Sequence, residues 1–330
     1  MNVQEIRPNG CDAAHPGHLQ FAAAARHTAA AAQAPNYLYL TGQPTMKQFL
    51  RYVDKHAVAP PSEGTLVDEW HAARDVLREI EKNEAGLADD PPLVKLGKEY
   101  EPLLTQFLLD PLVRESFNTV PTQVAMVELD RLVVYQKHID VTHAGQLETR
   151  LGPTPGMADI FHTCLPFDHP QPPVSWSRTT DGFTFVSPSR DMRFLGALRL
   201  EPRNIKDYPP PGDIVGVAGL AVGFGTNFLN AIYCENRLIL NNGSHRAYAL
   251  RKMGIRNVPC IVQHVPSREA LEVVASRDVR SDPDHFLKSP RPPMLKDYFH
   301  PGLHKVMVVH RRLKQVTVRF EVEETDVPAL

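Results

Sequence analysis

The chain has 330 residues, of which 42% are apolar, and its 36 basic and 38 acidic side chains leave a formal net charge of -2 at pH 7. That length and apolar content are enough to bury a large core, so we expect one large or two modest domains. The nearly balanced charge excludes a global positive field that would attract nucleic acid or an anionic membrane, and any anion-binding surface must be local.

The N-terminal stretch, residues 1–43, is expected to be a loosely ordered tail. Its alanine-rich part, residues 21–34, is interrupted by Arg26, His27 and Gln33. It is therefore too polar for a signal peptide and too short for a membrane span. The four cysteines of the chain have no paired close spacing, which is typical of reduced thiols rather than of disulfides or zinc ligands. We expect a cytoplasmic protein that does not enter a membrane.

A small helical region is predicted over residues 44–117. Thr45 and Gln48 have the spacing of a capping box, and apolar residues follow at helical intervals. A longer helix is predicted over about 65–86. A third helix is expected over about 93–108, with a kink at the proline that interrupts its apolar pattern.

The pattern changes from helices to strands at Val120. Residues 124–135 are rich in Val, Leu and Tyr and predict a strand that runs into a turn or a short helix. Further strands are predicted at 183–186 and 194–200, and the glycine-rich stretch 212–225 is interpreted as a loop. Strands and helices mix without regular βαβ alternation, so an α+β fold is favoured over a doubly wound sheet.

The last part of the chain, residues 266–330, is expected to form a helix and a hairpin. Ser267 can cap the helix. Residues 316–322 alternate between apolar and polar side chains, which is the period of a half-buried strand. An apolar run at 306–309 is its predicted hairpin partner.

Residues 228–264 carry the most specific pattern of the chain. Two short apolar runs hinged at Glu235 and Asn236 predict a hairpin, and Gly243 permits a tight turn with positive φ. A helix over about 245–253 and a second strand follow. A helix that starts directly after a glycine turn directs free N–H groups to one place, where the helix dipole adds partial positive charge.

Two cationic side chains lie in the first turn of that helix. Arg246 can offer a bidentate fork and His245 a titratable donor. Cations at a helix N-terminus act against the dipole, so a bound anion would offset their cost. The arrangement suits a phosphate, but strand, turn and capped helix also occur without a ligand in many folds, so a ligand-free unit stays an open alternative.

The same segment resembles a known superfamily. Residues 240–254, with the sequence LNNGSHRAYALRKMG, and the NVPCIV strand at 257–262 are similar to the signature segment of the ParB/sulfiredoxin superfamily. In that family a strand leads to a turn of the type Gly-x-His-Arg, then to a helix, a glycine and a Val-Pro strand. Residues 124–139 are more weakly similar to its opening strand. The resemblance implies a ParB/sulfiredoxin-like domain over 118–265, with an insertion at about 145–212.

The resemblance implies that a nucleotide phosphate is held at the turn. The superfamily contains chromosome-partition proteins that bind CTP and DNA, sulfiredoxins that use ATP, and free-serine kinases, which share this element. The cofactor expected from it is ATP or another nucleotide, with Mg²⁺ to help neutralise the phosphates. The implied cofactor-binding residues are Asn241, Asn242, Gly243, Ser244, His245 and Arg246.

Departures from the family pattern limit the chemistry. Ser244 stands where sulfiredoxins carry a cysteine, and a hydroxyl cannot form their sulfur-linked intermediate. Asn242 stands where kinase-type members have an acidic residue, and asparagine is not a base at neutral pH. The catalytic candidates are therefore Glu128 and Asp130, on the similar first strand, together with His245. Glu128 and Asp130 can equally be solvent-facing residues on a strand edge.

Two functions follow as expectations. The first is a nucleotide-binding enzyme, a kinase-like phosphotransferase or nucleotide hydrolase that acts on a small molecule. The alternative is a non-catalytic ParB-like regulatory or DNA-associated binding protein, although the basic run at 311–314 is followed by acidic residues at 321–324, as on a solvated strand face. Histidine groups at 138–143 and 162–169 lack metal-ligand spacing, so no metal site is predicted. The sequence names neither the substrate nor the oligomeric state.

Overall fold

The computed structural model describes residues 34–201 and 214–328, which contain ten α-helices and fourteen strands. The first elements are β1 (Asn36–Leu40), α1 (Met46–His56), α2 (Glu63–Asn83), β2 (Leu93–Lys95), α3 (Glu101–Leu108), α4 (Pro111–Ser116), β3 (Thr122–Glu128), β4 (Val133–Val134), β5 (His138–Asp140), α5 (Val141–Leu151) and α6 (Met157–Cys164). They are followed by β6 (Ser175–Thr179), β7 (Gly182–Ser187), β8 (Arg193–Leu200), β9 (Val217–Gly223), β10 (Asn230–Cys234), β11 (Arg237–Asn242), α7 (Ser244–Lys252), β12 (Asn257–His264), α8 (Arg268–Val274), α9 (Arg277–Ser281), α10 (Pro283–Leu287), β13 (His304–Val308) and β14 (Lys314–Arg319). Short 3-10 helices lie at Lys98–Tyr100, Leu129–Arg131 and Leu295–Phe299.

Four sheets organise these elements, and the largest has six strands in the order β2-β3-β12-β10-β11-β4. In it β10 and β11 form an antiparallel hairpin, β10 lies parallel to β12, and β12 lies antiparallel to β3. Parallel and antiparallel pairs mix without repeated βαβ units, which confirms the predicted α+β class. The finer boundaries, a domain over 118–265 with an insertion at about 145–212, remain predictions.

The six-stranded sheet is buried on both faces because alternate residues of β10 and β11 belong to different cores. Ala231 and Leu240 pack on the side of α5, α6 and α7. Ile232 and Ile239 pack on the side of α8, α9 and α10. Burial on both faces explains why these strands read as nearly continuous apolar runs.

The secondary structure predicted over residues 228–264 is confirmed. Glu235 and Asn236 have φ values of 46° and 63°, as in a two-residue hairpin turn with two positive φ angles. α7 and β12 follow in the predicted order, and the helix ends just before Gly254, whose φ is 85°.

Most of the helical region predicted over residues 44–117 is also confirmed. Thr45 and Gln48 form the expected capping box at the start of α1, and α2 begins slightly before its predicted start, with Ser62 as the capping residue. The third predicted helix is wrong in its first part, since β2 and a 3-10 helix precede α3. Pro102 lies in the first turn of α3, where the missing N–H costs no hydrogen bond.

The predicted tail over residues 1–43 is wrong in its C-terminal part. Its alanine-rich stretch falls within residues 1–33, which lie outside the described residues, but residues 36–40 form β1. This strand is the centre of a three-stranded sheet in the order β13-β1-β5. Its two tyrosines face α1 and its two leucines face the main core, so both sides are buried.

The predicted C-terminal hairpin is wrong in its pairing, although both of its strands exist. β13 pairs with β1, and β14 pairs with β7. The alternation of apolar residues indicates a strand but does not name its partner. The predicted helix after Ser267 is confirmed as α8, whereas the glycine-rich loop predicted over 212–225 contains β9, which pairs with β8. None of the helices in the described ranges is both long enough and apolar enough to cross a membrane.

A buried ion cluster fastens the loop after α10 to the end of α2. The guanidinium of Arg291, whose side chain is 0% exposed, lies 2.5 Å from Oδ1 of Asp297 and 3.0 Å from Oε2 of Glu84. Lys296 lies 2.6 Å from the other oxygen of Glu84. Asp297 also accepts a hydrogen bond from the amide of Met294, at 2.8 Å, so its carboxylate is fully engaged.

Removing the arginine from this cluster should be strongly destabilising. We expect Arg291→Met to lower the free energy of unfolding by about 3–5 kcal/mol, because the buried Asp297 loses its counter-charge. Urea denaturation measures this change. The matched control is Arg319→Met, which breaks an exposed pair with Asp181 at 3.3 Å and should cost at most about 1 kcal/mol. Equal losses in the two variants would contradict the assignment.

Candidate functional site

The turn between β11 and α7 is built around Gly243, whose φ of 96° lies in the left-handed region. Its amide donates to Oδ1 of Asn242 at 2.8 Å, and Nδ2 of Asn242 donates to the backbone oxygen of Thr226 at 2.6 Å. A Cβ at position 243 would lie 2.5 Å from Cδ1 of Leu229. Glycine is therefore needed here both for the backbone conformation and for space.

Gly254 offers a matched comparison for this turn. Its φ of 85° is also positive, but an added Cβ would meet nothing within 4 Å. We expect Gly254→Ala to cost about 1–2 kcal/mol of conformational strain. Gly243→Ala should cost about 1–3 kcal/mol more, because the Cβ overlaps Leu229. Urea unfolding of both variants measures the difference, and equal costs would show that the turn is not tightly packed.

The first turn of α7 has amides that lie outside the helical hydrogen-bond ladder. The first bond of the ladder runs from the amide of Ala247 to the oxygen of Gly243, at 2.9 Å. The amides of residues 244–246 precede it and point out of the helix end. The helix has nine residues, so its dipole contributes partial positive charge at this end.

His245 projects from this turn toward α5. Its ring meets the ring of His143 edge to face, with centroids 5.5 Å apart. The pKa of His245 is lowered to about 3, mainly because the imidazole is buried and to a lesser extent because His143 and His138 lie close to it. The imidazole is therefore neutral at physiological pH and donates from only one nitrogen.

Arg246 points away from the turn and into the protein. Its Nη1 donates to the backbone oxygens of Thr163, Cys164 and Asn227, at 3.2, 3.3 and 2.7 Å. The first two carbonyls belong to the end of α6, so the guanidinium caps that helix. The predicted free bidentate fork is not what the structure shows, because one of its two terminal nitrogens already serves three carbonyls.

The two asparagines before the glycine are also engaged in structural contacts. Asn242 locks the turn, as described above. Nδ2 of Asn241 donates to the oxygen of Val274 at 3.3 Å, and its backbone oxygen accepts from the hydroxyl of Tyr135 at 2.8 Å. Ser244 is buried. Of the six predicted cofactor-binding residues, His245 is the one whose side chain extends out of the turn to another imidazole, that of His143.

The structure does not bring the predicted carboxylates to His245. Oδ1 of Asp130 accepts from Nε of Arg251, in the last turn of α7, at 2.6 Å. Glu128 pairs with Asn257, which follows the same end of the helix. A nine-residue helix spans roughly 13 Å, so both carboxylates lie at the far end of α7. The cause is the antiparallel pairing of β3 with β12, which carries the end of β3 to the C-terminal end of the helix.

A different set of side chains surrounds the start of α7. We call Arg190, His138, His143 and His245 the basic cleft. The guanidinium carbon of Arg190 lies 5.2 Å from the ring centroid of Tyr37, whose ring stacks on His138 at 5.1 Å. The positive charge of Arg190 contributes to lowering the pKa of both His138 and His245, so it acts on both sides of the cleft.

The permanent positive charge of the basic cleft is that of Arg190. Within the described ranges, Arg190 forms no ion pair with a carboxylate. Asp140 lies nearby, but its Oδ1 accepts from the amide of His143 at 2.9 Å and caps α5. Arg190 and His143 are both exposed, so the cleft is open to solvent.

Sequence reasoning missed Arg190 and gave the two histidines of α5 and β5 no role. Arg190 lies between β7 and β8, in the predicted insertion, and no local pattern marks it. The sequence pattern indicates no function for His138 and His143, because their spacing is not that of metal ligands. In the part of the chain that the structure describes, no three His, Cys, Asp or Glu side chains are grouped so as to hold a metal ion.

Low pH should destabilise the fold through the buried imidazoles. Burial, and then Arg190 and His56, lowers the pKa of His138 to about 4, whereas an unfolded histidine has its pKa near 6.5. The folded state therefore binds this proton less tightly than the unfolded state. The contribution of neutral His138 to the free energy of unfolding is fully present above pH 6.5 and is lost as the pH falls from 6.5 toward 4. For His138 the loss is up to roughly 3 kcal/mol.

Urea denaturation between pH 7.5 and 4 tests this dependence. His138→Phe keeps an aromatic ring on Tyr37 but cannot be protonated, so its stability should fall less steeply than that of the wild type. His310→Phe removes an exposed imidazole and is the control, with an expected slope like that of the wild type. Parallel curves for wild type and His138→Phe would refute the assignment.

Comparisons with known proteins give no support from homology. No family model matches the chain, and no curated protein and no solved structure gives a significant match. What the site can do is therefore argued from its geometry and charge.

Proposed function

We propose that the protein binds the phosphate groups of ATP or another nucleotide in the basic cleft at the start of α7. The observation that carries this proposal is that His245 extends from the first turn of α7 to His143, while Arg190 lies close enough to His138 and His245 to lower the pKa of both and has no carboxylate of the described chain paired to it. Helix N-termini and cationic side chains are the groups that bind phosphate in proteins. A phosphate would give Arg190 the anionic partner that no carboxylate of the described residues provides.

The fold supports the same proposal. The order of β11, the Gly243 turn, α7 and β12 agrees with the pattern on which the ParB/sulfiredoxin resemblance rests. We therefore propose a ParB/sulfiredoxin-like domain whose phosphate ligands differ from the implied set. His245 and the amides of the turn keep their role, Arg190 takes the cationic role expected of Arg246, and His143 is added.

Mg²⁺ fits this site as a companion of the nucleotide. Magnesium bound with nucleotides usually takes one or two protein carboxylates and completes its shell with phosphate oxygens and water. Asp140 is the carboxylate that would hold it, since it follows His138 by two residues at the end of β5 and caps α5 through Oδ1, which leaves Oδ2 for the ion. The ion would neutralise phosphate charge.

Two activities are compatible with nucleotide binding. The first is a kinase-like phosphotransferase or nucleotide hydrolase acting on a small molecule. The second, a regulatory protein that binds nucleotide without consuming it, is favoured by the position of Glu128 and Asp130 at the far end of α7. DNA binding has less support, because Arg312 in the basic run contacts the backbone oxygen of Lys55. Three buried free cysteines agree with the cytoplasm as the expected compartment.

Calorimetric titration with ATP, ADP and CTP tests the proposal. Arg190→Gln and His245→Asn should each weaken nucleotide binding about tenfold or more, because each removes a charge-assisted or neutral hydrogen bond to phosphate. Arg178→Gln, which changes an exposed arginine of β6 in the same predicted insertion, is the matched control and should bind as the wild type does. Failure of the wild type to bind any nucleotide, or unchanged binding by Arg190→Gln, would sink the proposal.

A measurement of inorganic phosphate or ADP released from the bound nucleotide distinguishes the enzyme from the regulatory protein. Consumption of ATP favours the enzyme, and tight binding without consumption favours the regulator.

A further inference from the structure

A cavity lies between α5 and α6, beside the first turn of α7. Its volume is about 370 Å³, within the range of pockets that bind small molecules. The cavity is lined by the apolar residues Leu147, Leu151 and Pro166 and by the polar residues Arg150, Asp159, His162, Thr163, Asn227 and Arg246.

The polar lining residues have an excess of positive charge. Arg150 and Arg246 are cationic, whereas Asp159 is the one carboxylate of the lining. Oδ2 of Asp159 already accepts from the amide of Gly156 at 2.9 Å, at the start of α6. An anion entering this pocket would therefore meet cationic groups with little competition from protein carboxylates.

The positive charge of Arg246 is costly to bury when the cavity holds no anion. The residue is only 8% exposed, and its guanidinium donates to three backbone carbonyls rather than to a carboxylate. Burial lowers the pKa of Arg246, which shows that its charged form is poorly solvated. A buried guanidinium without a carboxylate partner is stabilised by any anion that reaches it.

We propose that this cavity binds a small organic acid. Its carboxylate would lie on the side of Arg150 and Arg246, and its aliphatic or aromatic body would lie against Leu147 and Leu151, which are one helical turn apart on α5. The arginines and the leucines of the lining together define the ligand class, which is an anionic head group joined to an apolar body.

The position of the cavity suggests what the acid is for, and this step rests on the proposed function. His143 of the basic cleft lies one turn of α5 before Leu147, and His245 is the neighbour of Arg246, so the cavity adjoins the nucleotide site. If a hydroxyl group were to accept the phosphoryl group of ATP, it would need a general base to remove its proton. Glu128 and Asp130 lie at the other end of α7, and Asp140 caps α5. A carboxylate acceptor is already deprotonated at neutral pH and needs no base.

The reaction is a simple displacement at phosphorus. A carboxylate oxygen of the acid attacks the γ-phosphorus of ATP and forms a new P–O bond. The bond from the γ-phosphorus to the bridging oxygen breaks, and ADP leaves with the electron pair. The products are an acyl phosphate and ADP, and no proton is transferred.

The first experiment tests binding and uses octanoate as the probe, with octylamine and octan-1-ol as matched cationic and neutral ligands. Titration followed by methyl NMR should show octanoate shifting the resonances of Leu147 and Leu151, with octylamine and octan-1-ol much weaker. Arg150→Gln should weaken octanoate about tenfold, equivalent to roughly 1.4 kcal/mol, while ATP affinity stays unchanged. Arg114→Gln, an exposed arginine of α4, is the control. Arg246 is left intact, since it caps α6 and its loss would disturb folding.

The outcomes separate this inference from the proposed nucleotide site. Octanoate that fails to bind, or that binds no better than octylamine, overturns the cavity assignment even if ATP binds. Octanoate binding that survives in a protein unable to bind ATP upholds the cavity and refutes the nucleotide site.

The second experiment tests the acceptor role in the intact protein. Incubation with ATP, Mg²⁺, octanoate and hydroxylamine should yield octanoyl hydroxamate, because hydroxylamine traps an acyl phosphate. His245→Asn should abolish the product while leaving octanoate binding intact. ATP binding without any hydroxamate would overturn the acceptor role.

Discussion

Arg246 holds together the three chain segments that form the site. Its Nη1 donates to carbonyls at the end of α6 and in the segment before β10, while its backbone lies in the first turn of α7. The guanidinium therefore fixes α7 relative to α6, and Gly243 can only turn as it does because no side chain intrudes between it and Leu229. The positions of both the cleft and the cavity depend on this buried contact.

The basic cleft and the cavity lined by Arg246 both border the first turn of α7. His245 extends from this turn to His143, and the exposed Arg190 is close enough to lower the pKa of His245. The guanidinium of Arg246, the next residue of the turn, lines the cavity together with Arg150 and the leucines of α5. Arg190 and Arg246, which have no carboxylate partner among the described residues, are the physical basis for proposing an anion at each place.

Local structure in this protein follows from the sequence where the pattern is short-range. The hinge at Glu235 and Asn236, the positive φ of Gly243 and the capping box at Thr45 depend on residues within a few positions of one another, and all are confirmed. Strand β1 was missed although its run of tyrosines and leucines is typical of a strand, because it directly follows the alanine-rich stretch that was assigned to the tail. It becomes a strand only because β13 and β5, distant in the chain, supply hydrogen-bond partners on both edges.

The sequence by itself determined the α+β class, the strand, turn, helix and strand unit, and the presence of His245 at the start of its helix. Only the tertiary structure decided that Arg246 turns inward, that Glu128 and Asp130 lie at the wrong end of α7, and that Arg190 reaches the cleft from the predicted insertion. The reason is that turns and caps are set by neighbouring residues, whereas the direction of a long charged side chain depends on which distant carbonyls, carboxylates and rings the packing brings within its reach.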